Sequence, residues 1–407
     1  MITLKIAFRN IFRQKRRTLL TVLTMFGGFT LCSFSIGWMD GSYNYIIDMF
    51  TRYQLGHIQI HNRGYIDRPS LYDTIDDYES VASTVERIPG VTRTSPRLYS
   101  AGLVSVGEKS AIARIIGIDP RQENAATLFD KKIVGGQTFA SPGTVAREAV
   151  IGKGLAKRID ASPGDDIVVV SQGADGSIAN DVYTIAGIIE TGDPAGDQTA
   201  LYLELGEAQE LLVLDGRIHE IAVVADDLGG VRRLASRLED GLADPGLAVE
   251  PWQVFAKSFY DAMMADKAGG WVMLLVIVFV VAIGVLNTVL MNVLERSREY
   301  GLLRAVGTRP RQIFWLVITE VCIMAVVSAA VGCIAGWAIN YGLSIKGIPM
   351  PMEFTYGGME FSHAFTEVNT RSFVIPIVVV ILSAVLVSTF PALRAARTAP
   401  AEAMRTR

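Results

Sequence analysis

Three groupings of side chains in this sequence are of types that could do chemistry. The first is Glu295-Arg296-Ser297-Arg298-Glu299-Tyr300-Gly301-Leu302-Leu303-Arg304-Ala305-Val306-Gly307, where acids and arginines mingle with apolar residues. Glu295, Arg298, Glu299, Leu302, Leu303, Arg304 and Gly307 in that arrangement suit docking of another protein rather than turnover of a substrate. The second is Glu320, the one charge between Gln312 and Ile345. A carboxylate at membrane depth is costly and tends to be functional, whereas one near the interface can be structural; both readings are open. The third is His57 and His61, which share a face if they lie on a strand, with Asp67 close in sequence. A metal site would use such a cluster, but packing or surface histidines are the plainer account in a chain with only 4 His.

Several catalytic arrangements are missing. There is no GxxxxGK[ST] loop, and Gly152-Lys153-Gly154 lacks both the spacing and the hydroxyl residue. ATP hydrolysis by this chain is therefore not expected. Neither HExxH nor a Ser-His-Asp order stands out. Cys32, Cys322 and Cys333 all fall in apolar runs, so the hydrophilic part holds no disulfide and no thiolate metal site. The expectation is a non-enzyme with no catalytic residue, no directly bound cofactor and no metal.

The elements that would position the charged stretch are long and apolar. Residues 268–294 carry no charge and residues 312–343 only Glu320, and about 20 apolar residues suffice to cross a bilayer. With 50% hydrophobic and 19% charged residues, the whole chain reads as part membrane, part water-exposed. Residues 1–17 hold Lys5, Arg9, Arg13, Lys15, Arg16 and Arg17 without an acid, and residues 18–39 are an uncharged run. That run is longer than a signal-peptide core and is followed by Trp38-Met39-Asp40 rather than a small-residue cleavage site, so a retained span is expected. Residues 373–390 make a fourth span. The segments 1–17, 295–311 and 391–407 are richer in Lys and Arg than in acids, which places them and both termini in the cytosol. The loop 344–372, whose acids outnumber its bases, lies outside.

Between the first two spans sits the bulk of the hydrophilic sequence. Tyr43, Ile46, Ile47 and Phe50 extend the first helix as a stalk over 40–54, and Trp252, Phe255, Phe259 and Met263 suggest a returning stalk over 252–267. Residues 55–251 read as an α+β domain. An α/β part (55–117 and 217–251) has a helix stopped by Pro89-Gly90 and a hairpin turning at Gly107-Glu108. Turn signals such as Pro163-Gly164-Asp165 mark a β-rich insertion over 118–216. Within 295–307, Tyr300, Leu303 and Val306 recur at helical spacing, Gly307 stops the helix, and Thr308-Arg309-Pro310 begins the next. A short helix on the cytosolic membrane face is a docking element; a plain loop with snorkelling charges is the alternative.

The charged stretch, followed by Arg311-Gln312-Ile313 and Glu320, resembles the signature of FtsX-like permeases, the MacB and lipoprotein-releasing (LolC/LolE) class of ABC transporters. The ending from Phe390-Pro391-Ala392 through Ala401-Glu402-Ala403-Met404-Arg405 is similar to that family's close. Gly117-Ile118-Asp119-Pro120, Ile151-Gly152-Lys153-Gly154-Leu155-Ala156, Pro163-Gly164-Asp165 and Thr191-Gly192-Asp193 resemble its periplasmic core domain. The resemblance covers essentially the whole chain. It implies a membrane protein with four transmembrane α-helices and a large α+β extracytoplasmic (periplasmic core) domain between helices 1 and 2, in the bacterial inner membrane. The 295–307 helix would be the coupling helix resting on a separate P-loop ABC ATPase dimer, so ATP acts only through that partner. A second permease copy or a homologous permease would complete the complex, and no nucleic acid is involved. ATP-driven motion would pass through the stalk as force, to extract or export a lipoprotein, lipid or other hydrophobic cargo. Size and layout agree best with the lipoprotein-releasing type. A regulator that activates a periplasmic cell-wall hydrolase is the other class open, and the large outer domain favours the transporter.

Overall fold

The computed structural model describes residues 7–10, 15–139, 147–356 and 359–397. It divides into two compact units, one of Met1–Tyr43, Met263–Pro349 and His363–Arg407, the other of Asn44–Ala262 with Met350–Ser362.

The first unit is built on four helices long and apolar enough to cross a membrane: α1 (Lys15–Phe50), α8 (Lys257–Glu295), α10 (Pro310–Lys346) and α11 (Arg371–Arg397). α1 runs without a break from the expected first span to Phe50, and α8 from Lys257 through the second span to Glu295, whereas the expected return stalk over 252–267 is interrupted at Ala256 after the turn Trp252–Phe255. Small residues let α1 and α10 approach closely: a Cβ on Gly332 would lie 2.5 Å from the Phe29 ring, and one on Gly336 2.7 Å from Ser33 Oγ. Ser328 Oγ donates to the Val22 carbonyl at 3.1 Å, and Asn340 Nδ2 to the Ser33 carbonyl at 3.2 Å. Met25, Phe29, Val285, Val317, Val321 and Val380 fill the centre. Val272, Leu275, Phe279 and Val280 of α8 stay open, as a helix does when lipid rather than water is its solvent. Gly342, further along α10, has nothing within 4 Å of where a Cβ would be.

The loop 344–372 is not irregular. Strands β11 (Ile348–Tyr356) and β12 (Met359–Ala364) pair, and the chain after them crosses α1 at its glycines. Glu367 N donates to the Gly37 carbonyl at 2.9 Å, and a Cβ on Gly41 would lie 2.5 Å from the Thr366 carbonyl carbon. Asp40, buried beside this crossing, accepts from Asn369 Nδ2 at 3.0 Å and faces Arg371 at 3.6 Å and Lys267 at 3.9 Å. Gly41→Ala is expected to cost about 1–3 kcal/mol, because the obstructing atoms are backbone. Gly27→Ala, with nothing within 4 Å, is the control and should be neutral or slightly stabilising. Unfolding midpoints of the two variants in detergent, compared with the parent, decide it.

The second unit is a mixed sheet with helices. Its strands are β1 (Ile58–Asn62), β2 (Val91–Val106), β3 (Lys109–Ile118), β4 (Ile133–Gly136), β5 (Glu148–Gly152), β6 (Asp166–Gln172), β7 (Ile178–Ile189), β8 (Ala200–Glu204), β9 (Glu220–Ala225) and β10 (Leu247–Pro251). They run in the order β10-β1-β9-β2-β3-β8-β5-β7-β4, with β6 paired to both β2 and β7. The residues 118–216 thus share one continuous sheet with those around them. The long β2 makes this possible: its first half pairs β9, its second half pairs β3, and Leu103–Ser105 also pair β6. The parallel pairs are β3 with β8 and β5 with β7. Helices α2 (Tyr78–Glu86), α3 (Pro120–Thr127), α4 (Lys153–Ile159), α5 (Leu205–Leu212) and α6 (Val231–Leu242) connect the strands, with a single turn α7 (Trp252–Phe255) after β10. α6 shows why its sequence is helical: Val231, Leu234, Ala235 and Leu238 recur at i, i+3, i+4, i+7, and all are buried. His57 and His61 are buried too; His57 Nδ1 accepts the Ala225 amide at 2.9 Å.

Candidate partner-docking site

Between α8 and α10 the chain makes one short helix, α9 (Ser297–Ala305). The break from α8 is at Arg296, at φ −95° and ψ 9°, so the guanidinium turns inward instead of following the helix surface. Arg296 Nη1 donates to Glu320 Oε2 at 2.9 Å and Oε1 at 3.2 Å, and its Nε donates to Glu299 Oε2 at 3.0 Å. Its carbon sits 5.3 Å from the centre of the Tyr300 ring. Asn10 Nδ2 donates to the same Glu320 carboxylate at 2.7 Å. Arg296 and Glu320 are both buried. A buried pair with this many hydrogen bonds fixes geometry, since desolvation offsets much of its Coulombic gain.

The far end of α9 is fixed differently. Gly307 takes φ +102°, its amide donates to the Arg304 carbonyl at 3.1 Å, and the Thr308 amide donates to the Leu303 carbonyl at 3.0 Å. This is the Schellman pattern, which a residue with a side chain would strain. Arg304 Nη1 donates to the Ala396 carbonyl of α11 at 2.8 Å. α10 then starts at Pro310, with Gln312 Oε1 accepting the Arg309 amide at 2.9 Å.

Glu295 is exposed at the end of α8, Arg298 is exposed on α9, and Glu299, Arg304 and Glu320 are tied by the bonds above. The apolar face differs from expectation. Tyr300 is 1% exposed and faces the core, while Leu303 at 37% and Val306 at 82% are open, together with Leu302 at 62%. The reason is helical geometry: at about 100° per residue, Val306 lies about 120° around the helix from Tyr300. Positions i, i+3 and i+6 are not one face. The outward patch is Leu302, Leu303 and Val306. Arg296 and Asn10 were missed; Arg296 carries no mark in the sequence that separates it from the neighbouring Arg298, because its partner depends on where α8 breaks.

The second unit holds its own concentration of buried charge. Arg97 is bonded to both oxygens of Glu123 at 2.7 and 3.0 Å, and Ser95 and Thr127 also donate to that carboxylate. Glu220 receives only the longer contacts, 3.4 Å from Arg97 and 3.3 Å from the Tyr99 hydroxyl. Burial pushes the Glu220 carboxyl up to about 7, with Arg97 opposing. The native state therefore holds a proton that the unfolded chain releases at lower pH. Its contribution is complete below about pH 4.5 and is lost as pH rises through about 7. Glu220→Gln should be the more stable chain at pH 8, by on the order of a few kcal/mol, with the difference closing toward pH 5. Unfolding midpoints of parent and variant across that range test it, and a pH-independent difference contradicts it.

Comparison with known proteins accounts for both units. Residues 271–400 match the FtsX-like permease C-terminal family model, and residues 18–240 match the MacB-like periplasmic core domain. The chain belongs to the FtsX-like, MacB-type permease family. It is similar to LolC, a lipoprotein-releasing system transmembrane protein of Xylella fastidiosa, at 24% identity over 81% of each chain. An uncharacterised ABC transporter permease of Mycobacterium tuberculosis is 25% identical over 72% of this chain, which spans 33% of that relative's length. Among solved structures, the periplasmic region of MacB from Actinobacillus actinomycetemcomitans aligns at 18% identity and a TM-score of 0.37, over 50% of this chain and 93% of that one. This FtsX-like permease thus has four candidate spans and a periplasmic-type α+β core domain between the first and second.

Proposed function

We propose that this permease uses a separate P-loop ABC ATPase dimer, docked on α9, to drive conformational change in its periplasmic core domain. The observation that carries the reading is the open apolar patch of Leu302, Leu303 and Val306, on a short helix pinned by Arg296–Glu320 at one end and Gly307 at the other. An exposed patch on a rigid helix between two spans suits a partner that pushes on it. Glu295, Arg298 and Glu299 supply the polar rim, and Glu320 acts through Arg296 as a positioning residue. In this account the protein lies in the bacterial inner membrane with α9 and both termini in the cytosol, as the Lys and Arg of those segments favour. ATP is used by the partner, and a second copy or a homologous permease completes the complex. The cargo class is a lipoprotein, lipid or other hydrophobic molecule drawn from the membrane; similarity to LolC over 81% of each chain supports this.

The test is affinity purification of the tagged permease from detergent-solubilised membranes, with mass spectrometry of what is retained. An ATPase together with a lipoprotein or lipid-linked factor is the expected result. An ATPase with a periplasmic cell-wall hydrolase would instead assign the regulator role. Recovery without any ATPase contradicts docking on α9.

A further inference from the structure

The core domain has an open cleft of about 1000 Å³ that plays no part in the account above. Among the described residues, five cations line it, Lys131, Lys132, Lys153, Lys157 and Arg158, against two carboxylates, Glu190 and Asp197. Those carboxylates are already engaged. Glu190 holds Lys153 at 2.6 Å, and Asp197 accepts the Thr191 amide at 3.0 Å and the Thr191 hydroxyl at 2.7 Å. Among the described residues, Lys131, Lys157 and Arg158 make no ion pair. Lys157 and Arg158 lie in the last turn of α4, where cations favour the helix dipole, and that bland role accounts for the two of them. It does not account for Lys131 and Lys132, which come from the 3₁₀ turn Phe129–Lys132 and converge on the same cleft. Burial pulls the Lys132 ammonium down to about 8, with Glu123 and Asp197 opposing.

We infer that this cleft is a binding site for a phosphate ester, of the kind a glycerophospholipid headgroup carries. Several lysines and an arginine around one opening match a group with two charges and several acceptor oxygens. Met49, Val134 and Pro194 give the cleft an apolar edge beside its cations, which suits a glycerol or acyl portion attached to the phosphate. Among the described residues no aromatic side chain lines it, and a nucleic-acid strand would use such a stacking platform. The inference is independent of docking on α9 and involves none of the residues assigned there.

Binding is measured on the full chain in maltoside micelles with three probes: dihexanoylphosphatidic acid, dihexanoylglycerol with the same acyl chains and no phosphate, and inorganic phosphate. The phosphatidic acid is expected to bind, and the dihexanoylglycerol at least tenfold more weakly. The triple variant K131Q/K157Q/R158Q should lose about tenfold or more in affinity for the phosphatidic acid at an unchanged unfolding midpoint. Inorganic phosphate binding as tightly as the lipid keeps the phosphate site and assigns it a soluble ligand. Equal binding of the two lipids, or an affinity that the triple variant does not change, overturns the proposal. If the triple variant fails to fold, Lys131→Gln alone, on an exposed residue, carries the same test with a loss of about threefold or more.

Discussion

Replacing Leu302 and Leu303 together with Asp is expected to lower retention of the ATPase on the purified permease by about a hundredfold or more. The two leucines are 62% and 37% exposed, so neither holds the fold of the permease itself. Burying a leucine side chain against a partner is worth about 1.5–3 kcal/mol. Losing two such contacts, and desolvating two carboxylates in their place, amounts to at least 3 kcal/mol, or about two powers of ten. Membrane insertion and the unfolding midpoint should be unchanged. Arg298→Ala, at the rim, should weaken the complex only a few-fold and mainly at low salt. Retention of the ATPase by the Asp variant at the parent level would remove α9 from the interface.

The second large effect concerns what holds α9 in place. Arg296→Met leaves the buried Glu320 carboxylate with Asn10 as its remaining donor, and breaking a buried pair this way costs about 3–5 kcal/mol. The double variant R296M/E320Q removes the charge as well, and should recover most of that loss. A thermal unfolding series of parent, single and double variants in detergent gives the coupling energy directly. Function should separate from stability. The double variant folds, yet its α9 has lost the anchor at its start, so ATPase docking persists while transport per ATP hydrolysed falls. Additive effects of the two substitutions on stability would show that Arg296 and Glu320 do not act as a pair.

Much of this architecture was legible because membrane solvent writes long messages. An uncharged run such as 268–294 has few alternatives to a spanning helix. The residues of α6 and the β2–β3 hairpin were readable for a similar reason, since amphipathic period and the Gly107-Glu108 turn are local signals. The first half of β2 was not. Arg93, Thr94, Ser95 and Pro96 look like loop, and only pairing with the fully buried β9 makes them strand. The hairpin β11–β12 was hidden for another reason: its strands are neighbours in sequence, but Pro349 and Pro351 read as strand breakers, and only the anchorage of Glu367 at Gly37 joins residues far apart.

The candidate site was half legible. Its charges and its Gly307 stop stood out, and so did Glu320. Which of its apolar residues face outward did not, because the rotation of a nine-residue helix is set by where it starts. Arg296 fixes that start through a carboxylate 24 positions away. Once Tyr300 is committed to the core, Leu302, Leu303 and Val306 have no place inside.

Site-directed photocrosslinking in intact membranes tests the central claim most directly. A photoreactive residue is placed in turn at Leu302, Leu303, Val306, Tyr300 and Phe279, and adducts are identified by mass spectrometry. The account predicts crosslinks to one P-loop ATPase from 302, 303 and 306, none from the buried position 300, and lipid adducts alone from 279. Lipid adducts alone from all three α9 positions, in membranes where the ATPase is present, would contradict it.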